Sequence, residues 1–277
     1  MIVLRPRRSR FTKPPFGSVE VNWGHPVTNN LKSYFLLNDG GRVSNLVIPT
    51  TITSFLASWA TTQRGVGLAF NGTDQRIQIA AQSNLQLSVF SKAALIIPKV
   101  DFSINRTITC TQDTASAGGG CQYRVQTTGT QQLVKSRTVN IGNSNTALTV
   151  NIAYAVGCTY DASGNFVFYL NGKPDGTGTS AQTFTHGPFQ FGHNSSGGAG
   201  NDEWFAGNII YYGEWNVVKP AAFFQFLASE PYTILRPKLA VRYFFHPAVA
   251  AAPTTAQTMP GILEMTGTGG FIGRMRR

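Results

Sequence analysis

The sequence predicts an all-β protein, a two-sheet antiparallel sandwich that closes on one short helix near its C-terminal end. Three observations carry this expectation. Charged residues make up only 13% of the 277 while 42% are hydrophobic, which leaves long surface helices without their charged faces. Short runs alternate between apolar and polar residues with period two, bounded by Gly, Asn, Asp and Pro, as half-buried strands do. Only one stretch shows an apolar stripe at helical spacing.

The strands follow in order. Arg76-Ile77-Gln78-Ile79 alternates after a turn at Asn71-Gly72. Gln122 to Gln126 alternates as well, and Thr146 to Ile152 does so more loosely. Asn165-Phe166-Val167-Phe168-Tyr169-Leu170 runs into Asn171-Gly172, a pair that accepts the positive φ angles of a type I′ hairpin turn. About a dozen such segments are expected, spaced as in a sandwich. No unit repeats every 20–50 residues or so, which argues against a propeller or solenoid. The helix is expected over residues 219–229. Lys219-Pro220 opens it, Phe223, Phe226 and Leu227 form its stripe, and Pro231 stops it.

Three regions are expected: an Arg- and Pro-rich arm over 1–27, the folded domain over 28–237, and an extension over 238–277. The extension holds a strand-like Leu239 to Phe245 and a stretch rich in Ala, Pro, Thr and Gly. The net charge of +11 sits mainly at the two ends. Residues 1–22 carry +4, residues 236–277 carry +5, and everything between carries +2. A nucleic-acid reader spreads its positive charge across a folded face. The arms instead read as anchors for an acidic protein surface, through Arg5, Arg7, Arg8 and Arg10 at one end and Arg274, Arg276 and Arg277 at the other. No apolar run reaches the roughly 18 residues of a membrane span. The Arg-rich start is not followed by the apolar stretch of a secretory signal, so none is expected. Cys110, Cys121 and Cys158 have no metal-ligand spacing and are expected as buried free thiols.

Several segments together resemble a known family. Leu68-Ala69-Phe70-Asn71-Gly72-Thr73-Asp74 before Arg76 to Ile79 is similar to a strand, turn and paired strand of the laminin-G-like branch of the concanavalin A-like jelly rolls. Cys158-Thr159-Tyr160-Asp161 through Tyr169-Leu170-Asn171-Gly172 resembles its central hairpin. Asn30 to Asn38 looks like its opening strand, and Phe189 to Gly192, Phe205 to Ile209 and Tyr211-Tyr212 look like its closing ones. The ending Leu227 to Pro237, a short helix giving way to a Pro-aromatic step and a second Pro, is similar to phage-encoded members. The resemblance spans residues 28–237. It implies a jelly-roll sandwich in a virion protein, such as a capsid decoration, head fibre or tail-associated protein, anchored by its ends. Other virion proteins and further copies of the chain are then the expected partners. Some relatives bind calcium through loop carboxylates, but Ile210, Tyr211 and Tyr212 stand where many carry such groups, and no metal or cofactor is expected.

Two other function classes are compatible with parts of the sequence. A glycan-binding module has its best support in the loop His193 to Trp204, where Asn194, Asn201, Asp202, Glu203 and Trp204 combine amide, carboxylate and ring. A cell-surface glycan would then be the partner. A glycoside hydrolase needs two carboxylates flanking the sugar bond. Asp202 and Glu203 are adjacent, read as a solvated loop pair, and would point to opposite faces of a strand. The four histidines have no nucleophile or zinc spacing. The expectation is a protein without catalytic activity.

Overall fold

The computed structural model describes residues 19–37, 43–111, 119–135, 139–194 and 203–237. Its strands in chain order begin with β1 (Val19–Val21), β2 (Leu31–Leu36), β3 (Ile52–Phe55), β4 (Ser58–Thr62), β5 (Gly65–Asn71) and β6 (Ile77–Ile79). Next come β7 (Phe90–Pro98), β8 (Arg106–Cys110), β9 (Cys121–Val125), β10 (Thr130–Lys135), β11 (Val139–Ala147) and β12 (Tyr154–Tyr160). The set closes with β13 (Asn165–Leu170), β14 (Lys173–Thr179), β15 (Phe189–Phe191) and β16 (Ala206–Trp215), then α1 (Ala221–Ser229) and β17 (Leu235–Pro237).

They form the expected antiparallel sandwich. The smaller sheet has the order β11-β10-β9-β8-β15-β6-β3. The larger has β14-β13-β12-β7-β16-β5-β4, and β2 also pairs with β16. One edge of β16 is shared, with β5 along Ala206 to Ile209 and β2 along Tyr211 to Trp215. Between the sheets lies the main core, to which β7 sends Phe90, Ala94 and Ile96 and β15 sends Phe189 and Phe191. Burying each such ring contributes about 1.5–3 kcal/mol. The other face of the larger sheet is also covered. Ala93, Leu95 and Ile97 of β7 pack there with Phe223, Phe224 and Leu227 of α1 and with Val19 and Val21 of β1. A strand buried on both faces loses its alternation, which is why β7 reads as an apolar run from Ala93 to Pro98. In β16 a bulge between Ile209 and Tyr211 adds one residue, so that Ile209 and Tyr212 face the main core while Ile210 and Tyr211 face the helix side.

Local chemistry sets the turns. Asn171 and Gly172 both take positive φ, 50° and 83°, and link β13 to β14 as the Asn-Gly pair predicted. In the β12–β13 turn the Asp161 carboxylate accepts the backbone N–H groups of Ser163 and Asn165, each at 2.8 Å.

Four expectations change in detail. Thr146 to Ile152 is not a strand: β11 ends at Ala147 and the chain turns, with Asn151 at φ 64°. Pro220 is the residue before the first helical turn rather than inside it. Phe224, not Phe226, faces the sheet and stacks on Tyr169 at 3.8 Å, while Phe226 stacks on His25. The folded body also starts before residue 28, because β1 pairs with β17 and buries Val19 and Val21. Leu239 to Phe245 lies outside the described residues.

The three cysteines are free and buried. Cys121 belongs to the main core, whereas Cys110 donates its thiol to Asn194 Oδ1 at 3.6 Å on the outer face of the smaller sheet. The thiols of Cys110 and Cys121 therefore sit on opposite faces of the smaller sheet.

Candidate functional site

The site grows out of the alternation in β9. Cys121, Tyr123 and Val125 enter the main core, so Gln122 and Arg124 project from the outer face of the smaller sheet. Both are buried nonetheless, and burial without partners would be costly. Their partners arrive from the segments around β8 and before β16. Glu203 Oε1 accepts from Asn105 Nδ2 at 2.9 Å and from Arg124 Nη1. Glu203 Oε2 accepts from the Thr107 hydroxyl at 3.3 Å and from Gln122 Nε2. Gln122 Nε2 also donates to Thr107 Oγ1 at 2.6 Å, and Gln122 Oε1 accepts from Asn194 Nδ2 at 3.1 Å. Arg124 Nε donates to Gln132 Oε1 at 2.7 Å. A continuous polar network thus runs from Cys110 through Asn194, Gln122 and Glu203 to Arg124 and Gln132.

Glu203 is 8% exposed, which corrects the sequence expectation of a solvated loop carboxylate. Its reason is the ion pair with Arg124, 79 residues away in sequence. Burial alone would push its pKa up, but the Arg124 charge and the hydrogen bonds from Arg124, Gln122 and Asn105 outweigh that and hold it below the usual carboxylate range.

Beside the network stands an aromatic pair. The rings of Trp204 and His193 stack at 3.6 Å, 19° from parallel. Trp204 is half-buried and belongs to neither core. Its carbonyl accepts from Arg106 Nη1 at 3.1 Å, and Arg106 Nη2 reaches the Asp101 carbonyl at 3.4 Å. Arg76 Nη1 lies 3.5 Å from His193 Nδ1. Three loops, before β6, before β8 and before β16, therefore meet at one end of the smaller sheet.

Of the residues singled out from the sequence, Asn194, Glu203 and Trp204 come together here. Asn201 and Asp202 lie outside the described residues, as do Arg5, Arg7, Arg8, Arg10, Arg274, Arg276 and Arg277. Sequence reasoning missed Asn105, Thr107, Gln122, Arg124, Gln132 and His193. The one available signal was Gln122 and Arg124 alternating with apolar residues on a strand. Among the described residues, no group of three or more His, Cys, Asp or Glu side chains is arranged to hold a metal ion.

Chemically, the site offers amides, a guanidinium, a fixed carboxylate and a ring. That set hydrogen-bonds hydroxyls and packs on an apolar face. A general acid must hold a proton near the working pH, and Glu203 is tuned in the opposite direction.

No protein-family model matches the chain, and no curated protein matches it. Solved structures do. The binding domain of Paraclostridial Mosquitocidal Protein 1 is 12% identical at a TM-score of 0.58, over 75% of this chain and 53% of that one. Domain 4 of AbnA, a GH43 extracellular arabinanase from Geobacillus stearothermophilus solved with arabinotriose, is 17% identical at a TM-score of 0.58, over 72% of this chain and 98% of that domain. Trypanosoma rangeli sialidase in complex with sialic acid is 13% identical at a TM-score of 0.55, over 75% of this chain and 34% of the sialidase. The chain thus spans about half of the mosquitocidal binding domain and nearly all of the arabinanase domain. What is shared is the fold. This chain shares the jelly-roll sandwich of these structures.

Proposed function

We propose that the chain is a carbohydrate-binding module without catalytic activity, whose ligand docks at the end of the smaller sheet where Asn105, Asn194, Glu203 and Trp204 meet. The observation that carries this is the half-buried Trp204 ring standing beside a polar network already locked in place. Hydrogen-bonding groups fixed before the ligand arrives lose little on binding. The sugar complexes of the arabinanase domain and the sialidase support the reading. A glycan array probed with the full chain tests it. Saturable binding is expected, weakened at least about tenfold by Asn105→Ala with the circular dichroism spectrum unchanged. An array on which nothing binds above background overturns the reading.

A second reading, a bacteriophage virion protein that presents the sandwich and is anchored by its flanking segments, has one observation in its favour. Most of the positive charge lies outside the folded body. Co-purification of the chain with capsid or tail proteins from infected cells tests it.

A further inference from the structure

Two arginines at the end of the smaller sheet carry donors that the protein leaves unused. Arg76, just before β6, has Nη1 3.5 Å from His193 Nδ1. Its Nε is covered yet has no hydrogen-bond partner, while its Nη2, also unbonded, is open to solvent. Arg106, the first residue of β8, donates from Nη1 to the Trp204 carbonyl at 3.1 Å and from Nη2 to the Asp101 carbonyl at 3.4 Å. Its buried Nε is likewise without a partner. Both guanidinium groups thus border the stacked rings of His193 and Trp204. The Asn71-Gly72 turn closes over the second of them: a Cβ on Gly72 would lie 3.2 Å from Arg106 Nη1 and 2.7 Å from the Ala206 side chain.

A guanidinium keeps its charge at any working pH, and a covered donor left unbonded is costly. The protein's own acids do not answer this need. Among the described residues, no carboxylate forms an ion pair with Arg76 or Arg106. The carboxylates of the same loops are engaged elsewhere. Asp74 Oδ1 accepts from Asn71 Nδ2 at 2.6 Å, Asp101 Oδ1 accepts from the Ser103 hydroxyl at 3.0 Å, and Glu203 is held by Arg124. The Asp101 carboxylate acts on Arg106 only through its field.

Building on the sugar-binding reading of this site, we infer that its ligand is an acidic glycan whose sugar carboxylate binds the Nε and Nη2 edge of Arg76. Arg106 adds a second positive charge beside it. That edge of a guanidinium matches the two oxygens of a carboxylate with two parallel hydrogen bonds. A neutral glycan would leave the same donors unbonded. The Trp204 ring, one stacking distance from His193, packs on the apolar face of the same sugar. Glu203 does not repel the ligand's charge, because Arg124 already neutralises it. Uronic acids and sialic acids both present this carboxylate, on different rings.

Calorimetry of the full chain with trigalacturonate and with sialyllactose, each against its own methyl ester, tests this. The ester keeps the sugar and removes the charge. One acid is expected to bind at least about tenfold more tightly than its ester, and which acid does so separates the uronate from the sialate. Arg76→Gln should bring the acid-to-ester ratio close to one. Arg76→Lys should restore only part of it, because an ammonium lacks the fork. Asn105→Ala should weaken acid and ester alike and keep the ratio. Equal binding of acid and ester overturns the acidic ligand and leaves the sugar site standing, as does a glycan array on which only neutral sugars bind. An array without any binding removes both. A folded Arg76→Gln chain, checked by circular dichroism, that keeps the full ratio overturns the assignment to Arg76.

Discussion

Lys92 on β7 and Glu214 on β16 are cross-strand neighbours whose Nζ and Oε1 lie 2.7 Å apart inside the sandwich, both almost fully buried. The Tyr212 hydroxyl donates to the same Oε1 at 2.7 Å, and the amine stands 4.8 Å from the centre of the Phe90 ring. Cys158 faces Lys92 from the strand on its other side. Burial alone would lower the Lys92 pKa, but Cys121 and Glu214 reverse this and keep the amine protonated. Removing one partner of such a pair strands a buried charge, whereas replacing both with apolar groups is often neutral. Glu214→Leu should therefore cost about 3–5 kcal/mol in urea unfolding, and Lys92→Met with Glu214→Leu should recover most of it. A double variant as unstable as the single one would contradict this account.

Trp204 predicts a separation of affinity from stability. A fully buried Trp costs about 3–5 kcal/mol when cut to Ala, but this one is half-buried and its main described ring contact is His193. Trp204→Ala should lose about 1–2 kcal/mol, in keeping with one stacked pair and partial burial, and should abolish glycan binding. A loss as large as that of a core Trp would place the ring among structural residues.

Acid should destabilise the domain over a defined window. Burial, aided by the Lys92 charge, lowers the His186 pKa from 6.5 to about 4, and Thr111 Oγ1 lies 2.8 Å from its Nδ1. The unfolded chain takes up this proton as pH falls through 6.5, and the folded chain does so only near 4. Stability is thus full above about 6.5 and declines toward 4. Glu203, held below the usual carboxylate range, acts in the same direction at lower pH. His186→Gln should flatten the melting temperature between pH 4 and 6.5; an unaltered slope would exclude His186 as the cause.

Hydrolysis is not expected. Glu203 accepts hydrogen bonds on both oxygens and stays ionised, so it has no proton to give a leaving group. Reducing-end release from a broad polysaccharide panel should remain at background. Activity that disappears in Asp202→Asn or Glu203→Gln would reverse this assignment.

The sheets were legible where the strands carry their own signals. Phe166 and Phe168 alternate with Val167 and Tyr169, and Asn171-Gly172 announces the turn. Residues 19–21 were missed because three residues are too few for a period to appear, and their pairing with 235–237 spans nearly the whole chain. Within the site, Asn194, Glu203 and Trp204 stood out because one loop gathers them. Arg124 did not, since nothing local tells that its partner is Glu203. The burial of Glu203 was hidden for the same reason: loop carboxylates are usually solvated, and the exception depends on a contact between distant segments.

The position of β16 governs how the chain can be made. It fills the gap beside β7 and pairs with β2 and β5 at once, so that Trp215 meets Leu31 across 184 residues of sequence. While the ribosome is still adding residues, everything before 206 has emerged without the strand that unites it. Loops this long close slowly, and the waiting edge of β7 is apolar on both faces from Ala93 to Ile97, a surface on which nascent chains stick to one another. A chain cut short before Ala206 should be found in inclusion bodies rather than as a smaller folded domain. Extending it through Trp215 and α1 is the step that turns a set of unjoined hairpins into a protein.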